Sequence, residues 1–303
     1  MTTFSVLICT YNRRDMLGMA LNALINRTDE KPDQVVIVIG GDDRSDQIVR
    51  NYMDRPGIRV ESVKTVNKNL ATSRNIGLAY CTCEIVAMTD DDAEVFPNWV
   101  TQMKKVHAEH PEAGGVGGAV LGADSDKSLL SRIADVATFS SPSQPGYVRT
   151  IAGVNVSYKR SVLQEVGPQD ETLFRGEDVD FNWRIKKLGY EIYYAPEIKV
   201  LHYHRPNLKQ FIYQFYMYGQ AYYLVRRKWP EMYCVYPHRV TKFKDILKII
   251  NFVLSIFYQP FLDAIKIKPW YSMPIVYIIM FISGIAWSYG VVSMKIFSFL
   301  PSS

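Results

Sequence analysis

Three consecutive aspartates, Asp90, Asp91 and Asp92, follow directly on the apolar run Ile85-Val86-Ala87-Met88 and Thr89. A run of that length and kind is expected to be a buried strand. Three carboxylates at the end of such a strand repel one another and lose hydration, and a bound cation relieves both costs. Hard divalent ions such as Mg2+ take few protein carboxylates and fill their remaining positions with water and phosphate oxygens. The triplet therefore points to a metal–diphosphate site at a strand's C-terminal end, the edge where open α/β sheets bind ligands. A solvated acidic turn would read the same from this stretch alone.

Such a strand needs neighbours. Further strands are expected at residues 4–9, 34–39 and 58–63, each followed by helical spacing of apolar residues. The first ends at Thr10-Tyr11-Asn12, after which Arg13-Arg14-Asp15 begin a helix. The second ends in the turn Gly40-Gly41-Asp42-Asp43-Arg44-Ser45-Asp46. A helix over 69–80 carries Arg74-Asn75 and Gly77. This alternation predicts an α/β fold with a mainly parallel sheet and helices on both faces. Beyond the aspartates, the glycine-rich segment 114–120 reads as a strand with close backbone approach. Residues 122–147 read as a surface loop around a short helix at 129–137. Gly153 and Asn155 lie in a strand feeding a helix at 160–166. A helix over 179–188 has Asp178 at its start and Gly189 closing it. Short strands at 192–194 and 199–201 lead to His202-Tyr203-His204. No G-x-G-x-x-G follows the first strand, and no G-x-x-x-x-G-K-[ST] or G-x-S-x-G occurs. Dinucleotide-binding, P-loop and α/β-hydrolase readings are thereby disfavoured.

The 303 residues are 48% hydrophobic and 21% charged, enough for a sizeable core. Residues 206–303 carry 11 Lys and Arg against 3 Asp and Glu, a net of +8, leaving −3 on residues 1–205. A basic tail with long apolar runs fits an anionic membrane rather than nucleic acid. Cys9, Cys81, Cys83 and Cys234 have no zinc-site spacing, which suits a reducing compartment. The sequence enters a strand at once, so no signal peptide is expected. Residues 208–229 place Phe211, Phe215, Tyr218 and Tyr222 on one helix side and end in Arg226-Arg227-Lys228. This is either an interfacial helix or one that packs on the core. Residues 246–262 are apolar but interrupted by Lys248, Gln259 and Pro260. Residues 273–294 are uncharged and long enough to cross a bilayer core of roughly 30 Å. The two form a helical hairpin, or the first is re-entrant or interfacial and the second crosses; Lys266 and Lys268 in the loop between them argue against a full hairpin. Lys242, Lys244 and Lys248 favour a cytosolic start.

The motifs Thr10-Tyr11-Asn12, Asp42-Asp43-x-Ser45, Arg74-Asn75-x-Gly77, Asp90-Asp91-Asp92, Gly153-x-Asn155, Gly176-Glu177-Asp178-x-Asp180 and His202-x-His204 occur in that order. Together, over roughly residues 3–205, they resemble the family 2 glycosyltransferases of GT-A fold. That fold is a Rossmann-like nucleotide-diphospho-sugar transferase architecture with a mixed, mainly parallel sheet. The resemblance implies a GT-A domain over 1–205, an amphipathic interfacial segment over 206–240 and membrane-anchoring hydrophobic helices over 241–303. It implies an inverting transfer from a nucleoside-diphosphate sugar to a hydroxyl of a lipid-linked sugar, polysaccharide or other glycan acceptor. Asp178 would be the base. Asp90, Asp92 and His202 would hold Mg2+ or Mn2+. Thr10, Tyr11, Asn12, Asp42, Arg74, Asn75, Asp90 and Asp91 would bind the donor nucleotide. Gly153, Asn155, Glu177 and Trp183 would line the sugar and acceptor side. Gly40-Gly41 departs from the family pattern, which reaches the Asp42 position directly from the strand. Trp183-Arg184 is not the Q-x-x-R-W of processive synthases. The expected partners are the donor, the acceptor, membrane lipids and a second copy of the chain, with no nucleic acid and the catalytic domain on the cytoplasmic side. Two other functions compete: a membrane-attached scaffold that has lost turnover, and a sugar-nucleotide pyrophosphorylase. The latter resembles a glycine-rich loop after the first strand, which this chain lacks.

Overall fold

The structure is a computed structural model that describes residues 2–66, 68–139, 142–205, 207–232 and 243–297; Cys234 and Lys242 lie outside these. It divides into two compact units. The first comprises Met1–Ala123 and Ser141–Tyr203, the second Asp124–Ser140 and His204–Ser303.

The first unit is built on β1 (Phe4–Thr10), β2 (Gln34–Ile39), β3 (Arg59–Lys64) and β4 (Ile85–Asp90), connected by α1 (Arg14–Leu21), α2 (Ser45–Met53) and α3 (Leu70–Tyr80). These four strands are parallel and adjacent in the order β3-β2-β1-β4. β1, β2 and β4 are buried almost throughout, as strands covered on both faces must be, and so they read as unbroken apolar runs. Gly77 lets α3 lie close against the sheet, for a Cβ there would stand 2.2 Å from a Leu7 methyl.

β5 (Ala93–Val95) and α4 (Trp99–Glu109) follow the aspartates. β6 (Ala113–Gly122), β7 (Gly146–Val148), β8 (Asn155–Lys159) and β9 (Glu191–His202) complete a nine-stranded sheet, with α6 (Arg160–Val166) and α7 (Glu177–Lys187) between the last two. β8 runs antiparallel to β4 and β6, whereas β6 and β9 are parallel, so the sheet is mixed. The two short strands expected at 192–194 and 199–201 are one strand with a break in register between Gly118 and Ala119 of its partner β6.

The second unit gathers α5 (Leu129–Thr138), α8 (Leu208–Lys228), α9 (Phe243–Ala264) and α10 (Met273–Phe297). Residues 124–140 thus belong with the C-terminal helices rather than with the sheet. Ile133 and Ala134 of α5 are buried with Phe211, Ala264, Ile267, Val276 and Met280. α9 is one continuous helix through Pro260. α8 and α10 touch backbone to backbone: a Cβ on Gly219 would lie 1.9 Å from the Trp287 carbonyl oxygen, and one on Gly290 2.1 Å from that of Tyr216. Gly219→Val is therefore expected to pry the two helices apart. Its measure is a lowered unfolding temperature of the detergent-solubilised chain; an unchanged temperature would contradict this packing. Among the described residues one helix, Trp270–Met294, is long and apolar enough to cross a membrane.

Candidate active site

Register fixes the acidic turn. Asp90 ends β4 opposite Cys9 of β1, and Thr10 of β1 pairs with Ile39 of β2. The loops after β1, β2 and β4 therefore open on one sheet edge. Successive side chains at a strand end point to opposite sides. Asp91 turns inward, 4% exposed, and accepts a hydrogen bond from the Thr10 hydroxyl at 2.7 Å and one from Arg13 at 3.0 Å. Asp90 ends the strand, and Asp92, in the turn that follows, comes close to it. β9 then supplies the third group, aligned by β5: Ala93 pairs with His202 of β9, and the His202 Nε2 lies 3.3 Å from Asp92 Oδ1. One ligand atom each from Asp90, Asp92 and His202 falls within 4.8 Å of the others. His204, the second histidine of the motif, belongs to the other unit and bonds Asp135 of α5 at 2.7 Å.

Arg74 is not a surface residue. It is 3% exposed, and its guanidinium donates to Glu177 at 2.9 Å and to Asp90 at 3.3 Å. One side chain thus ties the acidic turn to the first residue of α7. Burial pulls the Arg74 pKa down, but Glu177 and Asp90 outweigh it and the net shift is upward. Burial, then the neighbouring Asp178, push the Glu177 carboxyl up to about 7 against the pull of Arg74. Burial and Asp92 raise Asp91 to about 6, with Arg13 and Thr10 opposing. Burial also raises Asp90.

Gly153 is empty because Arg74 fills its space: a Cβ would lie 2.6 Å from Arg74 Nη2. A long side chain's tip usually moves aside cheaply, but this one is held by two carboxylates. Gly153→Ala is expected to cost about 1–3 kcal/mol, as overpacking does, read as a lower urea midpoint. An unchanged midpoint would show that the guanidinium shifts freely.

Asp178 stands half-buried in the first turn of α7, after Gly176 in the left-handed region (φ 79°). Its Oδ2 accepts from the Gly153 amide at 3.1 Å and its Oδ1 from the Val179 amide at 2.8 Å. It makes no N-cap bond, the cap position being Gly176. Asn182, one turn on, braces this corner by donating to the Ile151 and Asp178 carbonyls. Trp183 is half-buried on the same helix.

Tyr11 and Asn12 are exposed at the end of β1. Asn12, at φ 52°, accepts from the Asp42 amide, and Gly41 permits that approach, since a Cβ there would lie 2.2 Å from Asn12 Oδ1. Asp43 is consumed locally by the Ser45 hydroxyl and the Arg14 and Ser45 amides, which hold its carboxyl below the usual range despite some burial. Asp42 stays exposed. The inserted Gly40-Gly41 pair thus leaves the first aspartate facing outward.

Two expected pocket residues are engaged elsewhere. Asn155 is fully buried; it donates to the Ala119 and Ile198 carbonyls and accepts from Trp99 Nε1. Asn75 bonds the Gln169 backbone and Glu171, bracing the loop before α7. Thr10, turned toward Asp91, supports the turn from below. The residue that sequence reasoning missed is Arg13. Its signal was available: three adjacent acids call for a counter-charge, and Arg13 follows the strand that pairs with theirs.

The family model of Glycosyl transferase family 2 matches residues 5–167. The chain belongs to glycosyl transferase family 2. A similar relative is the glucosyl-dolichyl phosphate glucuronosyltransferase of Haloferax volcanii, 27% identical over 182 residues, covering 57% of this chain and 58% of that protein. Another is the poly-beta-1,6-N-acetyl-D-glucosamine synthase of Staphylococcus epidermidis, 25% identical over 201 residues, covering 63% of this chain and 48% of that one. The chain therefore spans about half the length of these curated relatives. Among solved structures, the mannosyltransferase PcManGT from Pyrobaculum calidifontis, in complex with GDP-Man and Mn2+, has a TM-score of 0.67 at 16% identity, covering 97% of this chain and 87% of that one. GalNAc-T7 with UDP, GalNAc and Mn2+ has a TM-score of 0.55 at 16% identity, covering 85% of this chain and 58% of that one. These likenesses show that this family 2 member has the GT-A fold, a mixed α/β sheet with its loops on one edge.

Proposed function

We propose that this chain is an inverting, metal-dependent glycosyltransferase. It moves a sugar from a nucleoside-diphosphate sugar to a hydroxyl of a lipid-linked sugar, polysaccharide or other glycan, on the cytosolic face of a membrane. The observation that carries the reading is the meeting of Asp90, Asp92 and His202 within 4.8 Å at the sheet edge, tied through Arg74 to the start of the helix that bears Asp178. A glucosyl-dolichyl phosphate glucuronosyltransferase and a poly-beta-1,6-N-acetyl-D-glucosamine synthase among the relatives support a glycan or lipid-linked acceptor.

Two carboxylates and an imidazole suit Mg2+ or Mn2+, with room left for diphosphate oxygens. The Mn2+ present in both structural neighbours supports a divalent ion as the cofactor. Such an ion offsets the negative charge that grows on the leaving nucleoside diphosphate. The chain's own residues do the rest. Asp42 and Tyr11, both exposed, receive the nucleoside. Arg74, locked between Asp90 and Glu177, keeps the acidic turn and α7 at a fixed separation. Asp178 has its carboxylate oriented by two backbone amides. It takes the proton of the acceptor hydroxyl as that oxygen attacks C1 from the side opposite the diphosphate. The C1–phosphate oxygen bond breaks and the anomeric configuration inverts.

Membrane attachment falls to the second unit. Exposed apolar residues recur along α9 at Ile246, Ile250, Val253, Phe257 and Phe261, and along α10 at Ile275, Ile278, Ile282 and Ile285. The two rows meet at a groove of about 800 Å3 lined by Phe257, Phe261, Tyr277 and Ile278. An apolar surface this extensive is covered by lipid or by another protein in any stable state. The uncharged stretch of α10 and the tail's net positive charge favour lipid. The full chain is expected to sediment with membranes and to resist both high salt and alkaline carbonate. Release by either without detergent would contradict this attachment and reassign α10 to a protein interface.

A further inference from the structure

We propose that Arg13 is a positioning residue for the cation site, clamping Asp92 so that one chosen carboxylate oxygen faces Asp90 and His202. The proposal rests on the reading of those three residues as ligands. Arg13 Nη1 donates to Asp91 Oδ1 at 3.0 Å and to Asp92 Oδ2 at 2.5 Å. The other oxygens of the two acids are turned elsewhere: Asp91 Oδ2 accepts from Thr10, and Asp92 Oδ1 lies 3.3 Å from His202 Nε2. One guanidinium nitrogen therefore sorts two adjacent carboxylates. Asp91 is held by Thr10 and Arg13 together, and Asp92 is turned so that Oδ1 faces His202 while Oδ2 faces Arg13. The Asp92 backbone is pinned as well, its carbonyl accepting from the Tyr203 amide at 2.9 Å. With the backbone fixed, Asp92 moves by side-chain rotation, and the Arg13 bond is one of the contacts that limit it.

Two effects of removing Arg13 oppose each other. Loss of a positive charge beside the cluster would by itself tighten cation binding. Loss of the clamp removes one restraint on the rotation of Asp92, together with the guanidinium that separates two adjacent, mostly buried acids. Partners that orient a metal ligand are typically worth about 10–100-fold in affinity. The sign of the change thus distinguishes a clamp from a cation that merely occupies the place of a metal.

The test uses the full chain in detergent, titrated with Mn2+ and followed by the electron paramagnetic resonance of free Mn2+, alone and with UDP or GDP. Arg13→Gln is expected to weaken Mn2+ binding about 10–100-fold, while Arg13→Lys, which keeps a cation in reach of both acids, retains most of it. Urea unfolding of the metal-free variants confirms their fold. Should Arg13→Gln fail to fold because Asp91 is left buried without its cation, the double variant Arg13→Gln with Asp91→Asn removes that charge. It still leaves Asp92 unclamped, so the same loss is expected. Equal or tighter Mn2+ binding in the folded variants overturns the clamp and leaves the ligand reading standing, provided Asp92→Asn loses Mn2+. Unchanged Mn2+ affinity with weaker UDP and GDP binding also overturns it and assigns Arg13 to the diphosphate. A wild-type chain that binds no Mn2+, with or without UDP or GDP, overturns the ligand reading itself and the clamp with it.

Discussion

Asp178→Asn is expected to bind donor and cation as the wild type does while its turnover falls about 10²–10⁴-fold, the usual worth of a positioned base. The amide keeps the shape of the carboxylate but cannot take the acceptor's proton. Its carbonyl oxygen can still accept one of the two backbone amides that hold Asp178, from Gly153 and Val179, so the corner at the start of α7 should survive. The split is the informative part. Transfer, donor affinity and urea midpoint are measured on the same preparation. A joint loss of donor binding and stability would assign Asp178 to holding the 153 loop on α7 rather than to catalysis.

Asp92→Asn is expected to remove metal-dependent turnover, by on the order of 10²–10³-fold or more, the scale seen when charge stabilisation of a leaving or attacking oxygen is lost. Here donor and cation binding should fall together, unlike in Asp178→Asn. Asp92 faces His202 with one oxygen and Arg13 with the other, so the substitution disturbs the ligand set and its clamp at once. Chelation of the wild-type protein should mimic it and be reversed by added Mn2+ or Mg2+. Full activity in excess chelator would contradict the role of these aspartates.

The sheet was largely legible because its central strands are buried on both faces. β1, β2 and β4 are continuous apolar runs, and no surface requirement breaks their pattern. The pairing of Asp92 with His202 was legible only through the family resemblance. It depends on β5, three residues long, whose strand character comes entirely from its partner β9. The same limit applies to Asn155. Its place in a Gly-x-Asn motif suggested a sugar contact, yet in the fold it joins β6, β9 and Trp99 through its amide. A buried asparagine and a pocket asparagine leave the same trace in a sequence.

Arg74, expected from the family resemblance to bind the donor nucleotide, is buried between two carboxylates. Its two carboxylate partners lie 16 and 103 positions away. Long-range ion pairs have no periodicity to betray them. α5 is a comparable case: its helical spacing was legible, but its association with α8, α9 and α10 was not. The tail's apolar content was evident from composition. That Gly219 and Gly290 hold α8 and α10 together followed only from the backbone approach.

The central claim is sugar transfer from a nucleoside-diphosphate donor at the acidic turn. Its most direct test incubates the full chain with GDP- and UDP-sugars, Mn2+ and a membrane glycolipid fraction, and quantifies free nucleoside diphosphate, pyrophosphate and the configuration of the new linkage. The account predicts nucleoside diphosphate released in step with sugar transferred, in a linkage inverted relative to the donor, and abolished by chelation. Release of pyrophosphate, or a linkage that retains the donor's configuration, would contradict it.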